Sequence, residues 1–480
     1  MSVLTTEKFA LTDFKAAFEK QRAFFESGAT RDYAFRAEQL KKLRQALREF
    51  EPEILQALFE DMQKPAFEAY SGEIGYVIDE INLLLKNLRS WMRPERVPTP
   101  LHFWPASSWV LREPYGVSLV LAPWNYPFQL LVAPLAGALA AGNTAILKPS
   151  EMAPRTAAVV EKLVKKTFSP ELVTVVQGDG RTVVPAMMES VRFDYVFFTG
   201  SAGAGKAVAR MAADKLIPYA LELGGKSPAI VCAGANIRQA AKRIVWGKFF
   251  NAGQTCIAPD YVLVQESVQE EMISSLKQAV AEMFGADPLH SPHLAGIING
   301  QRLQKMEEFI KDSDLVCGGQ IDYGKLRMSP TIIAGIAMDH PVMQEEIFGP
   351  VLPVISFKTI ESAATMVRQH PNPLSLYCFS KKQEEQQYFL QNLSFGGGAI
   401  NDVVVQFTIA GIPFGGIGQS GVGKYHGKDS YEVFSHRKGI MKGAAWGDQV
   451  LRYPPYSGLH LKLAKLVFDI WGVIFKKPRV

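Results

Sequence analysis

The chain has 480 residues, enough for about three ordinary domains, and 48% hydrophobic against 21% charged residues exclude a disordered polypeptide. The formal net charge is +5, yet Arg452, Lys462, Lys465, Lys476, Lys477 and Arg479 against Asp469 already account for it, so the rest of the chain is formally neutral. A neutral body argues against nucleic acid as a partner, which needs a basic face.

The first residues, Met1 to Glu7, lack a basic region followed by an apolar one, so no signal peptide is expected. The first ninety residues read as helices. Leu40, Leu43, Leu47 and Phe50 recur at helical spacing, and Ile74, Val77, Ile81, Leu84 and Leu88 do the same. Pro52 suits the first turn of a restarted helix. Pro94, Pro98, Pro100 and Pro105 then end helical structure, and residues 107–112 read as an extended strand.

From Val117 the pattern changes. Short apolar runs at 117–121, 144–147, 173–176, 195–198 and 218–221 alternate with helical stretches. This predicts an α/β fold with a parallel, doubly wound sheet. Such sheets bind ligands at the carboxyl ends of their strands. Asn125, Lys148, Gly178 and Gly200 each follow a predicted strand and converge on one edge. A second α/β unit is expected from about 227 to 411, with a helix over 237–249.

Near the end, residues 459–475 place Lys462, Lys465 and Asp469 on one narrow stripe, with Leu461, Leu466, Val467, Ile470, Trp471 and Phe475 elsewhere. The segment is too short and too charged to span a bilayer. It suits an amphipathic helix in a membrane interface, or one docked on protein.

Two runs carry the chemistry. Phe250-Asn251-Ala252-Gly253-Gln254-Thr255-Cys256 supplies a thiol. Leu221-Glu222-Leu223-Gly224-Gly225-Lys226 supplies a carboxylate among glycines, where backbone approaches closely. A thiol attacks only as thiolate, so Cys256 needs an activating environment and a second group to release any covalent intermediate. A lone cysteine is also a common small core residue. Cys232, Cys317 and Cys378 form no close pair in the sequence and read as structural. Neither a disulfide framework nor a metal site is expected, which fits a reducing cytoplasm.

These runs resemble signatures of the aldehyde dehydrogenase superfamily. Pro123-Trp124-Asn125-Tyr126-Pro127, Lys148-Pro149-Ser150-Glu151, Phe198-Thr199-Gly200-Ser201, Glu345-Glu346-Ile347-Phe348-Gly349-Pro350 and Pro413-Phe414-Gly415-Gly416 resemble five more, in the expected order. Gly200 to Gly205 is not the G-x-G-x-x-G fingerprint but resembles this family's variant of it. Trp246-Gly247-Lys248-Phe249 and Arg452-Tyr453-Pro454-Pro455 are most similar to the class 3 and fatty aldehyde dehydrogenase branch. One departure is Gln406, where that branch commonly has a histidine.

The resemblance implies two doubly wound parallel-sheet domains with a β-strand oligomerisation arm. Residues 1–97 and 117–226 would bind the dinucleotide, and 227–421 would form the catalytic domain. Residues 98–116 and 422–447 would form the arm of a homodimer, leaving 448–480 as a basic amphipathic tail. Cys256 is implied as nucleophile, Glu222 as general base and Asn125 as oxyanion donor. Lys148, Glu151, Gly200, Ser201, Gly205, Glu346 and Phe348 would hold NAD, with NADP as the alternative. Tyr126 and Trp246 would line the aldehyde tunnel. The implied activity is oxidation of medium- or long-chain aliphatic or aromatic aldehydes to acids through a thiohemiacetal and a thioester. The implied location is the cytoplasm, or the inner face of a membrane. The alternatives are a CoA-acylating aldehyde dehydrogenase, which usually lacks the base, and a non-catalytic binding protein on the same scaffold.

Overall fold

The computed structural model describes residues 11–443, 445–446 and 452–474. The helical opening is present. Leu40, Leu43 and Leu47 are fully buried in the helix Tyr33–Glu49, and Ile74, Val77, Ile81, Leu84 and Leu88 are buried along the turns that follow. Pro52 occupies the first turn of Glu51–Met62, where a missing N–H costs nothing.

The first sheet has six strands. Its order is Gly421–Val422, Tyr219–Glu222, Tyr195–Thr199, Val117–Leu121, Thr144–Lys148 and Val173–Val175. Five are parallel, and the short edge strand Gly421–Val422 runs antiparallel against Glu222 and Leu221. Three strands run one residue beyond the apolar runs that predict them. The added residues are Lys148, Thr199 and Glu222. The ladder continues past the last apolar side chain, pairing Leu121 with Lys148 and Thr199 with Glu222. The polar ends of the strands are thus where the sheet offers chemistry. Tyr219 opens its strand instead of Pro218, which has no N–H to give the ladder.

A second sheet of seven strands lies in the order Asp314–Cys317, Thr331–Ala334, Val351–Phe357, Tyr261–Gln265, Pro228–Val231, Ser375–Phe379 and Gly397–Ile400. It too is parallel except at one edge, Asp314–Cys317. Both sheets are therefore mixed at the rim rather than wholly parallel. Cys232 follows the strand Pro228–Val231, its N–H donates to Phe379 O at 3.0 Å, and Cys378 beside it raises its thiol, so these two cysteines are neighbours in space although distant in sequence. Both remain reduced and buried.

The chain divides into two compact units, one of Met1–Leu88 and Pro114–Phe434 and the other of Arg89–Glu113 and Ser435–Val480. Both large sheets lie in the first. The second holds a three-stranded sheet of Glu95–Val97, Ser107–Pro114 and Ser435–Lys442. Of the segments expected as an arm, residues 114–116 and 422–434 fall in the first unit. Tyr115 stacks on Tyr195, Gly116 N–H donates to Asn143, and Phe434 stacks on Phe197, which ties these flanks to the first unit. In the second unit the helix Gly458–Ile474 covers most of the expected amphipathic segment, whereas Phe475, Lys476, Lys477, Arg479 and the side chains of 470–474 lie outside the described residues.

The helix Gln129–Ala141 leaves the site and is buried along its length. A methyl group added at Gly137 would stand 2.5 Å from the carbonyl oxygen of Ser430. Gly137→Ala should therefore destabilise the protein by about 1–3 kcal/mol through overpacking, although alanine is the better helix former by about 1 kcal/mol. A urea midpoint that rises instead would contradict so close a contact.

Candidate active site

The helix Ile237–Phe249 runs toward the thiol and then stops abruptly. Asn251 and Ala252 adopt left-handed backbone at φ 53° and 51°, and Gly253 follows at φ 75°. Such conformations cost of order 1 kcal/mol or more for residues with a Cβ. Surrounding bonds hold them. The Glu68 carboxylate accepts the Asn251 N–H at 2.8 Å, and the Asn251 side-chain amide donates to the carbonyls of Asn125 and Gln254. At Gly253 a Cβ would meet the Gly349 carbonyl at 2.2 Å, so no side chain fits.

Both sides of the loop are pinned. Gln254 donates to Gly296 O at 2.9 Å and accepts the Ile298 N–H at 3.0 Å. The hydroxyls of Thr255 and Tyr126 lie 2.6 Å apart. Beyond the thiol, Tyr377 donates to Ile257 O at 2.5 Å. The departure noted at Gln406 belongs here. Its amide donates to Ser375 and Tyr377, so it props the loop from below rather than lining a cavity.

Cys256 and Glu222 both stand in the walls of two cavities, which also share Leu130 and Thr199. The larger, of about 900 Å³, has polar and charged walls. The smaller, of about 220 Å³, is lined chiefly by aromatic and aliphatic side chains, among them Tyr126, Trp246, Phe250, Phe407, Phe414 and Tyr425. Glu222 is 2% exposed, and neither carboxylate oxygen has a hydrogen-bond partner among the described residues. Burial pushes its carboxyl well above the ordinary range. Burial also raises the Cys256 thiol, with the carboxylates of Glu346 and Glu222 acting in the same sense. The N–H groups of Cys256 and Ile257 oppose this. Asn125 is buried, and its side-chain amide donates one hydrogen to Gln254 O at 3.0 Å, leaving a second to give.

The larger cavity meets the first sheet at Thr199, Gly200 and Ser201. Ser201 caps the helix Ala202–Asp214. Gly205 does different work from Gly200 and Ser201. It stands outside the cavity wall, and its missing Cβ lets the helix approach Leu223, which a methyl would meet at 2.7 Å. Lys148 and Glu151 also lie outside that wall, joined as an ion pair at the strand end.

Opposite, Glu346 and Phe348 line the cavity. Phe348 is held at φ 48°. Arg302 stabilises this turn by donating to three successive carbonyls, those of Glu346, Ile347 and Phe348. Asp260 accepts the Ile347 N–H at 3.0 Å, and Lys226 bridges Asp260 to the carbonyls of Val342 and Glu345. Glu346 itself packs on Gly224, where a Cβ would come within 2.1 Å of its carboxylate. Burial, with Asp260 adding to it, raises the Glu346 carboxyl to about 8.

A model of the aldehyde dehydrogenase family matches residues 2–440. The chain belongs to that family. The enzyme is 42% identical over 446 residues to the 4,4'-diaponeurosporen-aldehyde dehydrogenase of Staphylococcus aureus (strain NCTC 8325 / PS 47), covering 92% of this chain and 96% of that protein. It is 39% identical over 453 residues to human aldehyde dehydrogenase family 3 member B1, covering 94% and 96%. The solved substrate-bound state of Staphylococcus aureus AldH matches with a TM-score of 0.91 at 41% identity, over 95% of this chain and 99% of that one. Solved relatives include NAD-dependent and NADP-dependent enzymes. The enzyme accordingly oxidises aldehydes with NAD or NADP.

The larger cavity fits that cofactor. Its volume is in the range of ligand sites. A helix N-terminus opens on it to receive phosphate charge, and a buried carboxylate faces it from the other side. Sequence reasoning did not single out Arg302, Thr199 or Lys64. Arg302 lies in the helix Gly300–Phe309 and Lys64 just after the helix Glu51–Met62, neither within a motif, and their partners are remote in the chain. Thr199 was visible within its motif, but only the strand register sets it beside Glu222.

Because Glu346 is raised to about 8, it is largely protonated at neutral pH and ionises as pH rises through that value. Its ionised form is the better acceptor for ribose hydroxyls. NAD should therefore bind more tightly as pH rises from neutral through about 8, as measured by fluorescence quenching. Glu346→Gln should flatten the profile; an unchanged slope would exclude Glu346 from the cofactor site.

Proposed function

We propose that the enzyme oxidises apolar aldehydes, medium- or long-chain aliphatic or aromatic, to carboxylic acids through covalent attachment to Cys256. The supporting observation is that one thiol and one partnerless buried carboxylate share the walls of a polar cavity and an apolar one. The apolar cavity would take the aldehyde, with Tyr126 and Trp246 in its wall. In the polar one Gly200, Ser201, Glu346 and Phe348 would hold the nicotinamide half and its phosphates. Lys148 and Glu151, beyond its wall, would hold the adenosine ribose. Gly205 is reassigned to helix packing.

The Cys256 thiolate adds to the aldehyde carbon, and the carbonyl electron pair moves to oxygen. The second amide hydrogen of Asn125 and the Cys256 N–H donate to that oxyanion. Losing one such donor typically costs about 3 kcal/mol, or 10²–10³-fold in rate. A nicotinamide held by Gly200, Ser201, Glu346 and Phe348 would supply the hydride acceptor for that carbon. The acyl group then remains on Cys256 as a thioester. Glu222 takes a proton from water as the water oxygen attacks the acyl carbon, and the sulfur leaves. A carboxylate at the cavity junction favours water over a thiol such as CoA as acyl acceptor.

Since the Glu222 carboxyl is raised, it is protonated and idle at lower pH and becomes a base as pH climbs past its elevated value. Glu222→Gln should keep a burst of NADH while slowing steady turnover by roughly 10²–10⁴-fold. Cys256→Ser should lose oxidation altogether; full dehydrogenase activity in that variant would sink the assignment.

The second unit supports two further parts of the reading. The strand Ser435–Lys442 lies at the edge of its sheet and is largely exposed, which suits pairing with a second copy in a homodimer. The helix Gly458–Ile474 leaves Leu459, Leu461, Leu466 and Phe468 more than half exposed. Among the described residues no helix is long and apolar enough to cross a membrane. A cytoplasmic enzyme resting on the inner face of a membrane through this helix accounts for the exposed side chains and the lysines beside them. Co-sedimentation with anionic liposomes should fall when the chain ends at Asp448, and equal sedimentation would reject the membrane role.

A further inference from the structure

Beneath Asn125 lies an ion pair that takes no part in the chemistry above. Lys64 and Glu73 are both wholly buried and bonded to each other. Lys64 follows the helix Glu51–Met62, and Glu73 stands in the π-helical turn Tyr70–Ile74. A buried pair gains little net stability over apolar residues of the same volume, because desolvation offsets the attraction. Its remaining bonds therefore carry the meaning.

Those bonds all reach the oxyanion loop. The Lys64 ammonium donates to the Asn125 carbonyl at 3.0 Å and sits 4.3 Å from the centre of the Tyr126 ring. The second Glu73 oxygen accepts the N–H groups of Phe128 and Gln129 at 2.9 and 3.1 Å, where the helix Gln129–Ala141 begins. Pro127 falls between these anchors. The Asn125 carbonyl receives a second bond from Asn251 of the nucleophile loop. One cation and one anion thus fix both ends of a five-residue turn whose first side chain is Asn125.

We propose that the Lys64–Glu73 pair is a positioning device for Asn125, setting the direction in which its amide meets the developing oxyanion. The proposal rests on the reading of Asn125 as oxyanion donor. In that role misalignment slows both steps that form an oxyanion, thiol addition and thioester hydrolysis, and leaves cofactor affinity unaffected.

The test is a cycle on the full-length enzyme, reading the NADH burst rate at saturating NAD and aldehyde. Wild type, Asn125→Ala, Lys64→Met with Glu73→Gln, and all three changes together are compared. Replacing both charges leaves neither uncompensated. The pair variant should slow the burst by about 10–100-fold with NAD affinity within about twofold. In the Asn125→Ala background the same change should slow it by less than about threefold. Equal slowing in both backgrounds marks a merely structural role and overturns the proposal, as does a pair variant with an undiminished burst. If Asn125→Ala alone leaves the burst intact, the oxyanion reading itself fails and takes the positioning role with it. Should the pair variant not fold, Lys64→Gln with Glu73→Gln, which leaves no charge and keeps an acceptor toward Phe128 and Gln129, replaces it in the cycle. Failure of both to fold assigns the pair to folding alone and also overturns the proposal.

Discussion

A thiol at a cavity wall has to be delivered by backbone that most residues resist. The turn Asn251-Ala252-Gly253 supplies that delivery, with three consecutive left-handed residues between a regular helix and Cys256. Locally, Asn251 and Gln254 exchange side-chain hydrogen bonds. The rest of the support comes from elsewhere in the chain: the carboxylate of Glu68, the carbonyl of Asn125 and the close approach of Gly349. The nucleophile loop therefore exists only when the helices of the first ninety residues, the first sheet and the second sheet have all assembled. This ties the placement of the thiol to complete folding, since within its own segment only the N–H groups of Cys256 and Ile257 favour the thiolate.

The same dependence shapes the carboxylates. Glu222 ends a strand whose neighbours are apolar, and the sheet register sets it opposite Thr199. A carboxylate with no partner in such a place is costly. The fold tolerates it at the meeting of two cavities, where the cost is converted into basicity. Glu346 is treated differently. It is equally enclosed, but Arg302, Lys226 and a Gly225 N–H lean toward its ionised form, and it is raised only to about 8. Two buried glutamates beside one thiol are thus separated by their surroundings, one lacking partners and one surrounded by them.

Much of this was legible in the residues. The five apolar runs marked the parallel strands of the first sheet, and the helix 237–249 was placed to the residue, because period and length agree there. Cys256, Glu222 and Asn125 were singled out through motif rather than pattern, and all three stand in the wall of the larger cavity. What stayed hidden has one character: it lies between segments distant in the chain. Lys64 meets Asn125 across 61 positions, and Gln254 meets Gly296 across 42. Glycines misled in one case. Gly205 stands within a glycine-rich turn that resembles a phosphate site, yet it serves contact with Leu223. Gln406 stands between Val405 and Phe407, which line the apolar cavity, while its own side chain turns into the support of Tyr377. In both cases sequence gives the neighbourhood, and only the direction of the Cα–Cβ bond decides the role.

The high thiol of Cys256 has a consequence for the resting enzyme. Reactivity toward oxidants follows thiolate character and exposure. With burial and two carboxylates raising it, the sulfur is held protonated, although the cavities give it access to small molecules. An enzyme whose nucleophile were ionised at rest would be open to every electrophile that entered the apolar cavity. Here ionisation has to be supplied together with the ligands, either by loss of the thiol proton to Glu222 or by a change in the charge around Glu346. The partnerless state of Glu222 suits the first route, because a protonated carboxyl in that place no longer bears a buried charge. Transfer to Glu222 requires that carboxyl to be ionised beforehand, so the charge state of one buried group sets that of the other.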